Sequence, residues 1–505
     1  MEPERRNRLT LAVLIVGMAL RVGLAVVTPA TVAYDDHFTP IRLLLQEGRL
    51  PRPDQCWECY QPPLYYAVSA GVFRATAGAV SVSAAMKAVQ LESALFGCLT
   101  LLVCRSVLRR VLATPDVEAA PHAAGTAPAR SRLRRLLDAA GDPEALGLAV
   151  VAFLPQHVVM SAMATNDALT YLVASLAVWA ALRAHAAGWP DGATLFAGAL
   201  CGLAVLGKAY GMATAAAVAG AVALAALTQR ERAPAAGKGA GKRRREARRR
   251  GSVRWGRAVL LVVAGAAAVG VWPAARNLRL YGRPQVDNFD FFKTRMFTQP
   301  PGSVSAVEWL TFRPVALLRH PWVHPSSVAS FWTEMYAGLW FDYGGAISLN
   351  TFPPWTAFMN RVIARYAGRT PPGEAMIDYG PGDVPAGLAR WARVSYVAGA
   401  PLAALVLAGL GAALLGWRRF PTALVALHAC ACLAVPVVQT IRLPFFAAMK
   451  PAFMLGAISS VPVFVALLLA ALPARGRTAA LIAGWAASAT IALADVGYIV
   501  GQIRP

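Results

Sequence analysis

The chain has 505 residues, of which 57% are hydrophobic and only 15% are charged. Soluble domains carry about 25% charged residues, so this composition excludes an ordinary soluble protein. The length leaves room for many membrane spans of about 20 residues each, which also excludes a receptor with a single membrane helix. The net charge of +23 would suit a nucleic-acid-binding protein, but the basic residues cluster in short segments between apolar runs, as membrane topology signals do.

The apolar runs predict an all-α polytopic membrane protein with about 11 transmembrane helices. The first run follows Arg5, Arg6 and Arg8 and is long enough to span, so we interpret it as an uncleaved helix with its N-terminus in the cytoplasm. The alternative is a secretory signal, because residues 31–33 loosely resemble a cleavage site. The predicted spans are residues 9–28, 84–104, 145–163, 167–184, 192–208, 211–228, 257–274, 395–416, 421–438, 453–472 and 478–499.

Alternation of these spans places most basic residues on the cytoplasmic side, as the positive-inside rule requires. The basic connections are 105–135, 230–257, 418–419 and 475–477. The segment 229–257 is rich in Ala, Gly, Lys and Arg, and we predict a disordered basic cytoplasmic linker that touches anionic lipid. The protein is expected to lie in a bacterial inner membrane.

The predicted topology divides the chain into three main regions around that linker. Residues 1–274 form an N-terminal transmembrane catalytic module whose first extracytoplasmic loop is 29–83. Residues 275–394 form a second extracytoplasmic region, and 395–505 supply the C-terminal transmembrane helices. The second region contains many prolines and five tryptophans, which is typical of helices and loops packed at a membrane surface. These are Trp309, Trp322, Trp332, Trp340 and Trp355.

Two adjacent carboxylates, Asp35 and Asp36, follow the first span at the membrane boundary. Partial burial and a neighbouring like charge both raise the proton affinity of a carboxylate, which makes it a usable general base. The alternative is a helix end with solvated acids. Asp35, Asp36 and His37 also offer ligands for a divalent cation, although we expect neither a metal nor another cofactor.

The same loop contains a close cysteine pair and a predicted surface helix. Cys56 and Cys59 lie in an oxidising compartment if the topology is right, which favours a local disulfide over free thiols or a metal site. Residues 61–63, Gln-Pro-Pro, then precede a moderately apolar stretch that ends near Ala77. Two prolines fit the first turn of a helix. Because the stretch is short and contains Arg74, we predict a helix that lies on the membrane surface.

Some basic residues lie on the extracytoplasmic side, against the general trend. Such cations at the membrane interface are suited to stabilising a lipid phosphate. Lys208, just inside an apolar run, is costly unless it is paired or faces a polar cavity, and snorkelling to the interface is its alternative. Asn166 and Asp167 are further polar candidates, or they simply cap the fourth span. The basic residues concerned are Lys208, Arg276, Arg279, Arg442 and Lys450.

Several segments, in order, resemble the integral-membrane glycosyltransferases of the GT-C fold, especially bacterial relatives of protein O-mannosyltransferases and of the aminoarabinose transferase. The segments are the acidic pair 35–36, QPPLYY at 61–66, TND at 165–167, LGKAYG at 206–211 and WPAARNLRLYG at 272–282. The stretch from Arg442 to Lys450, which contains Pro-Phe-Phe, is similar to the family's C-terminal region. The resemblance covers most of residues 1–285 and is weaker beyond.

The resemblance implies a GT-C-like bundle that transfers a hexosyl or pentosyl group from a polyprenyl-phosphate donor to an extracytoplasmic lipid, glycan or protein. It implies that Asp35 acts as the base or orients the acceptor. We expect Asp35 to be the base and Asp36 to position that base or the acceptor. Relatives often have Lys where this chain has Gln61, so that phosphate contact passes to Lys208 or Arg276. Metal is not implied, since the monosaccharide-transferring members generally need none. The residues expected to bind donor phosphate or substrate are Lys208, Arg276, Arg442, Gln61, Tyr65, Asn166, Asp167 and Tyr210.

A multi-span transporter or lipid flippase without glycosyl transfer is the main alternative. A transporter places polar residues or broken helices near the middle of the bilayer, whereas here the polar residues concentrate at span ends and in two outer loops. A catalytically inactive assembly scaffold is a third possibility, and it would tolerate loss of Asp35 and Asp36.

Overall fold

The computed structural model describes residues 3–32, 35–113, 142–232, 242–291, 306–321, 330–341, 386–442 and 449–503. Within these ranges all regular structure is helical, with no β-strand. Among the described residues, eight helices are long and apolar enough to cross a membrane, and two bent helix pairs pass the same test when each pair is counted as one span. The short apolar helix Asp191–Gly207 occupies the remaining predicted position. The all-α polytopic fold class is therefore confirmed.

The helices fall in chain order as the apolar runs predict. The first part contains α1 (Pro3–Val27), α2 (Phe38–Glu47), α3 (Leu64–Ala77), α4 (Val82–Leu112), α5 (Pro143–Ala152), α6 (Pro155–Ser161), α7 (Asn166–Ala186), α8 (Asp191–Gly207), α9 (Gly211–Arg232), α10 (Lys242–Gly270) and α11 (Trp272–Tyr281). The second contains α12 (Asn288–Phe291), α13 (Ala306–Leu310), α14 (Pro314–Arg319), α15 (Phe331–Trp340), α16 (Ala386–Leu415), α17 (Phe420–Arg442), the 3₁₀ helix Pro451–Ser460, α18 (Val461–Ala471) and α19 (Ala474–Ile503).

The third predicted span, 145–163, is broken into α5 and α6, which are bent by 56°. Pro155 begins α6, and a proline has no N–H to continue the ladder of the preceding helix. The buried Arg21 of α1 satisfies the carbonyls at the break, donating to Ala152 O at 2.8 Å and to Val151 O at 3.2 Å. Arg21 also contacts His157 Nδ1 at 2.5 Å. This arginine, which the sequence analysis did not single out, therefore holds the broken span together.

Close packing between α8 and α10 depends on small residues. A Cβ added at Gly198 would collide with the backbone of Val262, and one at Gly202 would lie 2.6 Å from Ala266 O. Small residues four positions apart let two membrane helices approach at backbone distance, where van der Waals contact replaces the missing hydrophobic drive. The neighbouring α7 is the most enclosed of the full-length spans, with 78% of its apolar window buried. It contacts α4 and α8.

The loop between α1 and α4 contains two helices that pack on each other and on the bundle. The predicted helix after the two prolines is α3, and its 14 residues are too few to cross a bilayer. Its orientation relative to the membrane stays a prediction. The additional helix α2 was not predicted, since its apolar residues form only one short run. Tyr65 and Tyr66 of α3 and Ile41 of α2 lie in one buried cluster with Val89 of α4.

Helical structure extends into the basic linker that was predicted to be disordered. Helix α9 continues to Arg232, and α10 begins at Lys242, while residues 233–241 lie outside the described ranges. Ala, Lys and Arg are good helix formers, so two membrane helices can extend into such a segment. Of the predicted region 275–394, Trp322 and Trp355 also lie outside those ranges. Trp340 is buried and would meet any side chain placed at Gly399 of α16. The domain boundaries stay predictions.

Candidate active site

The ends of several helices meet at one end of the bundle and bring four ionised side chains together. Asp35 lies between α1 and α2, Asp167 is in the first turn of α7, and Lys208 directly follows α8. Lys450 precedes the 3₁₀ helix at its N-cap. The opposite end of the bundle carries ion pairs of its own, in which Glu144 contacts Arg105 and Arg109.

Asp167 and Lys208 form a buried ion pair. Lys208 Nζ lies 2.7 Å from Asp167 Oδ2, and the two side chains are only 9% and 5% exposed. The Tyr210 hydroxyl donates to the other carboxylate oxygen at 2.6 Å. The Thr165 hydroxyl donates to Oδ2 at 3.0 Å, and its oxygen accepts from the N–H of Asp167. Lys208 is therefore paired inside the protein and does not snorkel to the interface.

Asp35 forms the second ion pair of the cluster, with Lys450. Lys450 Nζ lies 3.2 Å from Asp35 Oδ2. Partial burial by itself would raise the pKa of Asp35, but the neighbouring lysines, Lys450 foremost, hold that pKa below its ordinary value. Asp35 is therefore an ionised carboxylate held by a cation. The same contact raises the pKa of Lys450, against the effect of its burial.

His37 links the loop between α1 and α4 to the start of α7. Its Nδ1 lies 3.0 Å from the Tyr66 hydroxyl, and its Nε2 lies 3.4 Å from Thr165 Oγ1. Burial, and then the charge of Lys208, lower the pKa of His37 to about 4. A neutral imidazole at this point connects Asp35's loop to the Asp167 pair without adding positive charge.

Cys56 and Cys59 are disulfide-bonded, which is the favoured of the three sequence interpretations. The bond closes a tight turn in which the Cys59 N–H donates to Cys56 O at 3.1 Å. Glu58 lies inside this turn, is only 3% exposed, and accepts a hydrogen bond from Gln61 Nε2 at 3.2 Å. Burial, and then the negative charge of Asp35, raise the pKa of Glu58 to about 8.

Four other predicted site residues lie in different surroundings. Both carboxylate oxygens of Asp36 accept hydrogen bonds from the start of α2, at Phe38 and Thr39. The Tyr65 hydroxyl lies 3.3 Å from Ser93 Oγ within the helical core. Arg276 donates hydrogen bonds to Leu50 O and Pro51 O. Arg442 donates one to Asp287 Oδ2.

Arg276 and Gln61 line one groove. Its walls include Pro51, Tyr60 and Trp272. Arg276 also donates to two backbone carbonyls of the loop. The predicted site residues therefore do not all meet at one place.

Asn166 is completely buried beside Asp167. Within the described part of the chain, neither its amide nitrogen nor its amide oxygen has a hydrogen-bond partner. An unpaired buried amide costs free energy unless something else satisfies it. Asn166 therefore has hydrogen-bonding capacity to spare next to the Asp167–Lys208 pair.

The predicted cation ligands Asp35, Asp36 and His37 are engaged with protein partners. Across the described ranges, no group of three or more His, Cys, Asp or Glu side chains is arranged to hold a metal ion. Metal use stays a prediction.

The residues predicted to form the site did not include Lys450, Thr165 or Glu58. Lys450 was grouped with the basic residues that the predicted topology places on the extracytoplasmic side, and Thr165 belongs to the motif TND, but neither was given a role of its own. Glu58 gave no signal, since a glutamate in a loop is common.

Comparison with known proteins finds no matching family model and no matching curated protein. Solved structures that are similar include the Archaeoglobus fulgidus oligosaccharyltransferase complex with Zn and sulfate, at 12% identity, TM-score 0.47, and coverage of 97% of this chain and 53% of that one. The same enzyme tethered to an acceptor peptide has 14% identity and a TM-score of 0.48, with coverage of 97% of this chain and 55% of that one. ArnT from Cupriavidus metallidurans bound to undecaprenyl phosphate has 13% identity and a TM-score of 0.42, with coverage of 98% of this chain and 75% of that one.

This chain spans about half the length of the oligosaccharyltransferase chains that it matches. The first of these solved proteins is an oligosaccharyltransferase, and the structure of the second contains undecaprenyl phosphate. At TM-scores below 0.5 the similarity transfers no role to individual residues.

Proposed function

We propose that this chain is a glycosyltransferase that moves a sugar from a polyprenyl-phosphate donor to an acceptor on the extracytoplasmic face of a bacterial inner membrane. The observation that carries the proposal is the ion cluster at one end of the bundle, in which Lys208 pairs with Asp167 and Lys450 pairs with Asp35. A polyprenyl-phosphate donor is also what the sequence resemblance implies.

The charge of the cluster suits a lipid phosphate that becomes more negative as its sugar leaves. An ammonium group in a site of low dielectric stabilises such a charge far better than it would in water. Lys208 is held by Asp167, which Tyr210 holds in turn, so the position of Lys208 is set before the donor arrives. Preorganised charges cost no rearrangement at the moment of reaction.

In the proposed mechanism the acceptor hydroxyl attacks the anomeric carbon, and the bond from that carbon to the phosphate oxygen breaks with inversion. Asp35 takes the hydroxyl proton. In the resting site Lys450 holds the pKa of Asp35 low, which makes it a weak base. Donor phosphate competes with Asp35 for Lys450, so donor binding raises the proton affinity of Asp35 at the time when a base is needed.

The extracytoplasmic assignment rests on charge distribution. The cluster lies at the bundle end where α1 and α8 finish and α7 begins. Arg105 and Arg109 lie near the end of α4, at the opposite end. Because short basic segments stay in the cytoplasm, the cluster faces outward.

One observation favours a transporter, namely the broken span formed by α5 and α6 around buried Arg21. Broken helices in transporters bind their cargo with freed backbone groups. Here Arg21 takes up the Ala152 and Val151 carbonyls, so those groups are already satisfied by the protein.

A donor panel tests the proposal. Purified protein in vesicles is incubated with radiolabelled polyprenyl-phosphate sugars of several kinds, and label that leaves the polyprenyl carrier is measured. Transfer or release from at least one donor is expected, and the Asp35→Asn variant is the inactive control. Movement of intact labelled lipid between leaflets, with no release of sugar from any donor, would support the transporter instead.

A further inference from the structure

Gln90 of α4 is a completely buried amide whose hydrogen bonds reach two other segments of the chain. Its Nε2 donates to Thr28 Oγ1 at 3.0 Å and to Ala162 O at 2.7 Å. Thr28 directly follows α1, and Ala162 directly follows α6. One side-chain nitrogen therefore ties the end of the first span to the end of the broken span.

The orientation of this amide is fixed by its own partners. Lys87, one turn earlier on α4, donates to Gln90 Oε1 at 2.7 Å. Lys87 also donates to Ala25 O at 2.8 Å and to Thr28 O. The Thr28 hydroxyl donates to Leu24 O at 2.7 Å, so its oxygen is left to accept from Gln90. Because an ammonium group can only donate, Lys87 selects the oxygen of the amide and leaves both N–H groups for the two segments.

The two segments that Gln90 ties together carry the two acids of the ion cluster. The chain that leaves α1 leads to Asp35, and the chain that leaves α6 leads into α7, with Asp167 in its first turn. His37 follows Asp35 by two residues, and its Nε2 lies 3.4 Å from Thr165 Oγ1. The two segments are therefore joined at their start by Gln90 and again, close to the acids, by His37.

The spacing of these segments matters for the proposed reaction. Lys208 is paired with Asp167 and would stabilise the carrier phosphate, while Asp35 would take the proton of the acceptor. The distance from the base to the reacting sugar then depends on where the first segment lies relative to the second. A displacement of about 1 Å can lower a rate by about a hundredfold, and a fully satisfied buried network specifies one arrangement.

We propose that Gln90 is a positioning residue of this site, whose two N–H groups set the spacing between the segment that carries Asp35 and the segment that carries Asp167. This inference rests on the proposed glycosyl transfer. The hydrogen bonds of Gln90 are with protein groups, so it acts on the reaction through those segments. A change at Gln90 should therefore slow the chemical step more than it weakens donor binding, because Lys208 still holds the phosphate.

The Gln90→Met variant tests this role by separating kcat from KM. Methionine keeps the length of the side chain but donates no hydrogen bond, so the two segments lose their common donor. The kcat of transfer, per amount of folded protein, should fall by about tenfold to a hundredfold, while the KM for the donor stays close to that of the wild type. A purely structural role would reduce the folded fraction and leave the kcat of the folded protein unchanged.

Ser106→Ala is the matched control on the same helix. Trp179 Nε1 donates to Ser106 Oγ at 2.9 Å and joins α4 to α7, in the half of α4 that lies away from Gln90. The control therefore also removes a hydrogen bond between α4 and another span, but it should keep the wild-type kcat. An equal fall of kcat in both variants, or a wild-type kcat in folded Gln90→Met, overturns the positioning role.

Substitutions at Thr28 reach the same contact from its other side. Thr28→Val keeps the shape and removes the acceptor of one Gln90 N–H, so kcat should fall, and Thr28→Ser keeps the hydroxyl and should recover most of that fall. In the Gln90→Met background Thr28→Val should add little, because the bond is already absent. Fully additive effects would overturn the inference. If Gln90→Met does not fold, the two Thr28 variants decide the test.

Hydrogen–deuterium exchange needs no substrate and separates this inference from the proposed function. Peptides that cover residues 28–32 and 162–167 should exchange faster in Gln90→Met than in the wild type, and Ser106→Ala should leave them unchanged. Transfer by the wild type, with neither a change of exchange nor a fall of kcat in Gln90→Met, overturns the role of Gln90 alone. Absence of transfer from every donor, with the exchange difference present, overturns the glycosyltransferase proposal and the catalytic consequence of Gln90 with it.

Discussion

The two ends of the helical bundle both carry ion pairs, but they bury them to different extents. At the end that contains the candidate site, Lys208 and Asp167 are 9% and 5% exposed. At the other end, Arg257 and Asp191 are 64% and 54% exposed. An exposed pair stabilises a protein by less than about 1 kcal/mol. A buried pair pays a desolvation cost that often cancels its attraction, so stability alone does not account for the Lys208–Asp167 pair.

The Asp35→Asn variant tests the end of the bundle that contains the candidate site, by its effect on sugar transfer. It has the largest expected effect. Asparagine keeps the shape of the side chain but accepts no proton, so transfer should fall by about a hundredfold to ten-thousandfold. Label transfer from the active donor measures the rate, and size-exclusion chromatography checks folding. A folded variant with unaltered activity would remove the proposed mechanism.

The Lys208→Met variant tests the same end by its effect on the free energy of unfolding. It leaves Asp167 buried without its cation, which should lower the free energy of unfolding by about 3–5 kcal/mol. The double variant Lys208→Met/Asp167→Asn carries no uncompensated charge and should recover most of that loss. Denaturant unfolding in detergent measures both. If the double variant is as unstable as the single one, the ion pair is not the source of the effect.

The Asp36→Ala variant tests whether the two adjacent acids of the loop differ. Asp36 accepts hydrogen bonds from the first turn of α2, and loss of such a cap costs about 0.5–2 kcal/mol. Thermal unfolding should show this loss, while transfer falls much less than in Asp35→Asn. An equal fall in transfer would favour the sequence prediction that both acids belong to the catalytic pair.

The Asp191→Asn variant at the opposite end should have the smallest effect. Its pair with Arg257 is exposed, so the change in the free energy of unfolding should be below about 1 kcal/mol. Donor transfer should equal that of the wild type. A loss comparable to that of Lys208→Met would mean that burial does not separate the two ends.

The spans were predictable because a membrane helix needs a long apolar run, and each predicted run has a helix or a bent pair. The break at Pro155 was not predicted, since hydropathy does not record the direction of a helix. Helix α2 was missed because ten residues with one short apolar run give little periodic signal.

Within the site, Asp35, Asp167, Lys208 and Tyr210 were singled out from the sequence, and the structure brings them into or beside one cluster. Arg276 and Arg442 were singled out by the same reasoning about misplaced cations, yet they contact loop carbonyls and Asp287. Hydropathy and charge predict on which side of the membrane a residue lies. They do not predict which of several residues on that side it will contact.

The sequence by itself determined that this is a membrane protein and which end of the bundle collects basic residues, because hydrophobicity and charge are properties of each segment alone. Only the tertiary structure decided that Asp35 pairs with Lys450, 415 positions away, and that Glu58 is buried in the turn closed by the Cys56–Cys59 disulfide. Those contacts depend on how α1, α7, α8 and the 3₁₀ helix pack, and packing is a property of all the helices together.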